Sequence, residues 1–257
     1  MTTSPQPVSL PGWRRIWRLS RLFLHLLSGM LEVKLHFAGA SLDERRFRVQ
    51  RWSSRMLNVL GIRLDIIGNV PAHVPGNSLW VANHISWLDV FVINAMMPCQ
   101  FVAKSEVSGW PLVGWLCRHT GTLFIERENR RDLLRVNAGV EQALREGGSV
   151  AFFPEGTTTD GRRLGSFAAS LFHAASASQG DVRPVALQYL DAAGQWSDKP
   201  AYIDDMSLMQ SMWNIAGANT TVARLTLLPV LNAAHINRRE LAAEAHRHIA
   251  GVITKDH

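Results

Sequence analysis

Ser78-Leu79-Trp80-Val81-Ala82-Asn83-His84-Ile85-Ser86-Trp87-Leu88-Asp89 opens on an uncharged, largely apolar run and ends on a carboxylate. The run Ser78–Ala82 is short and bulky, and it reads as a strand buried on both faces. Ser86 is a good N-cap for a helix starting at Trp87. Asp89 then falls three positions after the cap, as the acidic partner of a capping box does. The stretch therefore predicts strand, reversal and helix in succession, with the helix over residues 87–97.

The same alternation continues outward. Strand-like runs lie at 64–67, 78–82, 100–103, 123–125, 149–153, 182–190 and 222–229, and helix-like segments at 87–97, 110–119, 130–146, 166–178 and 238–253. Segment 130–146 carries Leu133, Val136, Val140 and Leu144 at helical spacing and stops at Gly147-Gly148. Strands alternating with helices predict an α/β domain with a mixed, mainly parallel sheet flanked by helices. Residues 191–220 are the least regular part and read as a surface excursion over the site.

A chain of 257 residues can form one large domain with an appendage. Cys99 and Cys117 give no disulfide framework and point to a reducing compartment. Cys117-x-His119 and His246-x-His248 lack the further ligands of a zinc site, so no metal is expected. The net charge of +6 is uneven: residues 1–55 hold 10 Lys/Arg against 3 Asp/Glu, and the rest hold 17 against 18. A nucleic-acid binder spreads basic residues over its main domain, so nucleic acid is not an expected partner. The boundary is set at residue 58, with an N-terminal segment over 1–58 and the α/β domain over 59–257.

In that N-terminal segment Trp13, Ile16, Trp17 and Ser20 share one helical face, continued by Leu24, Leu27 and Leu31. Arg14, Arg18 and Arg21 lie on another. Tryptophan beside arginine suits an interfacial membrane helix. At about 1 kcal/mol per basic residue near an anionic surface, Arg14, Arg15, Arg18 and Arg21 contribute up to about 4 kcal/mol. The apolar run from 22 to 31 is interrupted by Glu32 and Lys34, short of the roughly 20 residues a crossing needs. The same residues also fit a helix packed on the domain with a solvated arginine face, or a basic-then-apolar leader.

His84 and Asp89 admit two readings. One is a capped helix start beside a loop histidine. The other is a base with its orienting carboxylate: the reversal lets Asp89 accept one ring N–H and leaves the other nitrogen free. Three later strand ends bear on the choice. Phe101-Val102-Ala103-Lys104 ends on a cation, and so does Phe124-Ile125-Glu126-Arg127. Phe152-Phe153-Pro154-Glu155-Gly156-Thr157 ends in a turn with Pro and Gly placed as a type I turn prefers. Cations gathered at one sheet edge suit an anionic ligand.

Asn83-His84-x4-Asp89, Phe124-Ile125-Glu126-Arg127, Phe153-Pro154-Glu155-Gly156-Thr157 and Val182-Arg183-Pro184-Val185-Ala186-Leu187 resemble, in order and spacing, the four blocks of the glycerolipid acyltransferases. The likeness spans about residues 60–230 and lies nearest the bacterial 1-acyl-glycerol-3-phosphate acyltransferases. It implies an α/β acyltransferase domain behind an N-terminal helical membrane anchor, held peripherally or monotopically on the cytoplasmic face of the inner membrane. It also implies acyl-CoA or acyl-carrier protein as donor, a lysolipid as acceptor and no cofactor. Carried over, His84 takes the acceptor's proton and Asp89 orients His84. Arg127, helped by Lys104, binds the acceptor's phosphate. Glu155, Gly156 and Thr157 shape the acceptor site, and Pro184 belongs to the fourth block. No Ser or Cys stands where an acyl-enzyme would form, which favours direct transfer.

The sequence departs from the pattern after Gly156. The phosphatidic-acid-forming enzymes continue Glu-Gly-Thr with Arg-Ser, where Thr158-Thr159 stands here. They also carry Lys and Gly after a downstream Phe, where Phe167 is followed by Ala168-Ala169-Ser170. A less charged acceptor such as a lyso-ornithine lipid therefore stands beside lysophosphatidic acid. An ester hydrolase is the other enzymatic class, and it lacks a G-x-S-x-G elbow.

Overall fold

A computed structural model describes residues 9–126 and 129–254. It begins with helices α1 (Gly12–His36) and α2 (Leu42–Leu60), followed by β1 (Ile62–Ile67), β2 (Ser78–Ala82), α3 (Asp89–Met96) and β3 (Gln100–Lys104). Next come α4 (Val113–His119), β4 (Leu123–Ile125), α5 (Arg130–Arg145), β5 (Ser149–Phe152), α6 (Phe172–Ser178) and β6 (Asp181–Leu190). The last elements are α7 (Leu208–Gly217), β7 (Thr221–Leu227), β8 (Leu231–Asn232) and α8 (Arg238–Ile253).

The described strands make one eight-stranded sheet in the order β1-β7-β6-β2-β5-β3-β4, with β8 beside β6. It is mixed and mainly parallel. β2 runs parallel to both β5 and β6, β3 to β5 and β4, and β1 to β7, while β6 runs antiparallel to β7 and β8. Pro184 stands where the free side of β6 passes from β8, paired at 181 and 182, to β7, paired from 185 onward. Its missing N–H costs little at that junction.

Every residue of β2 is buried because both sheet faces are covered. Trp80 and Ala82 pack into one layer with Leu22 of α1, Met56, Leu57 and Leu60 of α2, Val92 of α3 and Ile215 of α7. Leu79 and Val81 pack into the other, with Val136 and Val140 of α5, Phe172 of α6 and Leu241 of α8. Each fully buried Leu or Ile contributes about 1.5–3 kcal/mol.

The two N-terminal helices are part of this packing. Ser41 caps α2 in a capping box, its Oγ accepting the Glu44 N–H while Glu44 Oε2 accepts the Ser41 N–H. A Cβ on Gly29 would lie 2.6 Å from Trp52 Nε1, so the crossing of α1 and α2 requires glycine there. His25 of α1 stacks on the Trp52 ring at 4.7 Å, and each donates to the other's carbonyl, at 3.0 and 3.2 Å.

The arginine face expected to meet solvent or lipid is partly turned inward. Arg18 donates to the carbonyls of Ala216 and Asn219 at 3.3 and 3.2 Å and to that of Ala218. Arg15 donates to the Leu10 carbonyl at 3.0 Å and lies over the Trp213 ring. Carbonyls at a helix C-terminus carry partial negative charge, so the end of α7 holds Arg18, while the Trp213 ring of the same helix receives Arg15. Trp13, Ile16, Trp17, Leu24 and Leu31 face outward instead. No described helix is long and apolar enough to cross a membrane.

Several elements differ from the expected bounds. α3 starts at Asp89 rather than 87, because the Asp89 N–H bonds the Ser86 carbonyl at 3.1 Å and Trp87-Leu88 form a tight turn first. α4 starts at Val113, after Leu112 at a φ of 62°. α6 starts at Phe172 because the chain before it is held elsewhere, with the Ala168 N–H on the Pro154 carbonyl at 2.9 Å. α7 forms inside the stretch read as irregular. Met209, 65% exposed, and Trp213, 38% exposed, put apolar residues on its outer side and blunt its periodicity.

Candidate active site

The site grows from the C-terminal end of β2, in the middle of the sheet. Asn83 is buried, donates to the Leu187 carbonyl at 2.9 Å and accepts the Leu187 N–H at 2.7 Å. That two-way bond fixes the direction in which the chain leaves the strand. His84 follows, its ring stacked on Phe153 with centroids 3.9 Å apart and planes 4° from parallel. His84 Nδ1 lies 2.8 Å from Asp89 Oδ2. A carboxylate oxygen only accepts, so Nδ1 carries the proton and Nε2 keeps its lone pair.

Asp89 is fully buried and saturated with donors. Oδ2 accepts from His84 Nδ1, from the Ile85 N–H at 2.7 Å and from the Ser86 N–H at 2.9 Å. Oδ1 accepts from the Tyr189 hydroxyl at 2.8 Å. Both sequence readings thus meet in one side chain: Asp89 closes the helix start by holding the Ser86 N–H, and it also orients His84. Ser86 itself is buried, and its Oγ accepts the Leu88 N–H at 3.3 Å. Tyr189 is the residue that sequence reasoning missed. It lies 100 positions from Asp89 in β6 with no local motif, and burial raises its pKa well above the usual phenol value.

The turn after β5 forms as expected, the Gly156 N–H bonding the Phe153 carbonyl at 3.2 Å. Glu155 was read as a residue shaping the acceptor site, yet both its oxygens hold backbone. Oε1 accepts the His84 N–H and Oε2 the Gly165 N–H, each at 2.7 Å. Burial raises the Glu155 pKa against the lowering by those two bonds. Thr157 is exposed in the following loop. Thr159 N–H donates to the His84 carbonyl at 2.8 Å, and Thr158 Oγ1 donates to the Tyr202 carbonyl. Gly161 has a φ of 82°, and a Cβ there would meet Ile85 Cδ1 at 2.7 Å. The Tyr202 N–H bonds the Ile85 carbonyl at 2.9 Å, so the excursion after β6 does lie against the site.

Strands β2, β5, β3 and β4 are mutually parallel, so their C-terminal ends share one edge. In open α/β sheets that edge is where ligands bind. Lys104 stands there, exposed, as the last residue of β3. Arg127 follows β4 by two positions and lies outside the described residues. The Arg162 guanidinium stacks over the Trp196 ring at 3.8 Å. A cavity of about 450 Å³ runs along α3, lined by Val90, Phe91, Trp52, Phe101, Val113 and Leu116 among others. One of its lining residues, Phe101, packs at 6.0 Å on the Phe153 ring, on which His84 stacks.

Comparison with known proteins identifies the family. The acyltransferase family model matches residues 62–188. The 1-acyl-sn-glycerol-3-phosphate acyltransferase of Neisseria meningitidis is 33% identical over 243 residues, 94% of this chain and 94% of that one. The lyso-ornithine lipid O-acyltransferase of Pseudomonas aeruginosa is 32% identical over 220 residues, 85% of this chain and 83% of that one. Among solved structures, the 1-acyl-sn-glycerophosphate acyltransferase PlsC of Thermotoga maritima superposes with a TM-score of 0.62 at 20% identity, over 93% of this chain and 97% of that one. With an oriented histidine at the ligand edge of the sheet and full-length relatives of this kind, the chain belongs to the acyltransferase family.

Proposed function

We propose that this acyltransferase moves a fatty acyl chain from acyl-CoA or acyl-carrier protein to the free hydroxyl of a lysolipid, with 1-acyl-glycerol-3-phosphate as the first-choice acceptor. The observation that carries the reading is the His84–Asp89 pair, with Nδ1 held at 2.8 Å and Nε2 left as a base. Nε2 takes the proton of the acceptor hydroxyl as its oxygen attacks the thioester carbonyl. The tetrahedral centre collapses, the C–S bond breaks, and the thiolate leaves with the proton returned from His84. Asp89 offsets the imidazolium charge formed between these steps. General base catalysis of this kind contributes roughly 10²–10⁴ in rate.

Lys104 and Arg127 are the cations assigned to the acceptor's phosphate, and the cavity along α3, lined by apolar residues together with Arg45, Arg48 and Glu32, is the space proposed for an acyl chain. The exposed Trp13, Ile16, Trp17, Leu24 and Leu31 support a peripheral or monotopic seat on a cytoplasmic membrane face. With Arg15 and Arg18 docked on α7, Arg14 and Arg21 supply the remaining attraction to anionic lipid, about 2 kcal/mol for the two.

One observation favours a second acceptor. Thr158 and Thr159, which replace the Arg-Ser of the phosphatidic-acid-forming pattern, donate to backbone carbonyls at the site. A lyso-ornithine lipid needs fewer cations there. Purified protein given labelled acyl-CoA with lysophosphatidic acid and lyso-ornithine lipid in parallel separates the two by product. Free fatty acid as the main product, with no acylated lipid, refutes acyl transfer in favour of hydrolysis.

A further inference from the structure

The mechanism uses one oxygen of Asp89, and the other is held by a residue from the far side of the sheet register. Tyr189 is 1% exposed, lies in β6 and donates its hydroxyl to Asp89 Oδ1 at 2.8 Å. Oδ2 already receives three N–H groups, so Tyr189 completes the carboxylate's shell. We infer that Tyr189 is a positioning residue of the acyl-transfer reaction, setting how strongly Asp89 pulls on the Nδ1 proton of His84. The inference rests on the His84 base proposed above.

A donor on Oδ1 draws negative charge away from Oδ2. Removing it leaves a buried oxygen with no partner and a carboxylate that attracts protons more strongly. The pair His84–Asp89 then keeps its catalytically silent proton to higher pH, and protonation belongs to the pair as a unit. A tyrosine that merely fills space would leave that balance alone. Among the described residues, the ionisable groups bonded into this cluster are His84, Asp89, Tyr189 and, through the His84 backbone, Glu155.

The test compares kcat and KM against pH for wild type and Tyr189→Phe. The acidic limb of kcat moves up by about one pH unit, so kcat on the limb falls about tenfold, while KM and the plateau hold. The same comparison in a Glu155→Gln background keeps the displacement, because the Tyr189 hydroxyl bonds Asp89 Oδ1 and not Glu155. A lowered Tm with the limb unmoved makes Tyr189 structural and overturns the inference.

Should Tyr189→Phe fail to fold, fluorotyrosine provides the second arm. The chain has two tyrosines, so labelling Tyr202→Phe protein marks Tyr189 alone. Fluorine makes the hydroxyl a stronger donor, and the limb moves down, opposite to the Phe variant. The 19F resonance titrates with the limb and stops titrating in Asp89→Asn. A resonance flat across the pH range overturns the coupling whether or not acyl transfer is seen. A titrating resonance without any acyl transfer supports the coupling and counts against the proposed reaction instead.

Discussion

Asp89→Asn isolates the charge of Asp89 from its geometry. The Oδ2 position is faced by three donors, the His84 ring N–H and the N–H groups of Ile85 and Ser86. An amide NH₂ cannot sit among them, so the asparagine oxygen is pinned there and its nitrogen takes the Oδ1 position. The Tyr189 hydroxyl then rotates to accept. His84 keeps its tautomer, and only the negative charge is lost. A hydrogen bond to a charged group is worth about 1.5–3 kcal/mol against about 1 kcal/mol for a neutral one. The imidazolium formed in the transition state thus loses about 0.5–2 kcal/mol, a fall in kcat of roughly 2–30-fold. His84→Ala, which removes the base, falls about 10²–10⁴-fold. Asp89→Ala strands two buried backbone N–H groups and destabilises the fold by about 2–6 kcal/mol. The assay is kcat at saturating labelled acyl-CoA and acceptor, with Tm measured on the same preparations. Asp89→Asn at the wild-type rate refutes the electrostatic role of Asp89. Asp89→Asn as inactive as His84→Ala refutes the pinned-amide argument.

Arg18→Ala removes the bonds to the carbonyls after α7 and undocks the start of α1; thermal unfolding should show a loss of about 1–3 kcal/mol, with proteolytic cleavage appearing in residues 9–36. Trp13→Ser with Trp17→Ser, at positions 65% and 61% exposed, leaves Tm unchanged and weakens liposome binding at least about a hundredfold. Replacing Arg14 and Arg21 by Gln weakens it less, by about thirtyfold; a larger effect from the arginines than from the tryptophans contradicts the outward apolar face. Glu155 has its pKa raised in the folded protein, chiefly by burial. The native state therefore holds that proton more tightly than the unfolded chain. The contribution is fully present below the ordinary carboxylate range, near about pH 4, and is lost as pH rises through the raised value. The Tm of wild type relative to Glu155→Gln is accordingly highest in acid and declines towards neutrality, and a difference that grows with pH reverses the assignment.

Periodicity and short motifs were enough for most of the fold and for the pairing of His84 with Asp89. β2 and β4 follow from uninterrupted apolar runs, and α8 from its apolar face, because their packing partners demand only apolar residues at regular spacing. His84 and Asp89 were legible because strand, turn and helix are contiguous, so five positions of chain fix their meeting. The orientation of α1 was not legible. Its amphipathic pattern defines two faces but not which one is buried; the carbonyls ending α7, some 200 positions away, turn Arg18 inward, and the Trp213 ring of α7 receives Arg15. Glu155 was legible only as a motif residue at a turn, and the structure adds that the distant His84 and Gly165 N–H groups donate to its two oxygens. The sequence by itself determined the alternation of elements and the meeting of His84 with Asp89. Only the tertiary structure decided what completes that carboxylate, because Tyr189 reaches Asp89 across strand pairing between β2 and β6, and such register leaves no local trace in the chain.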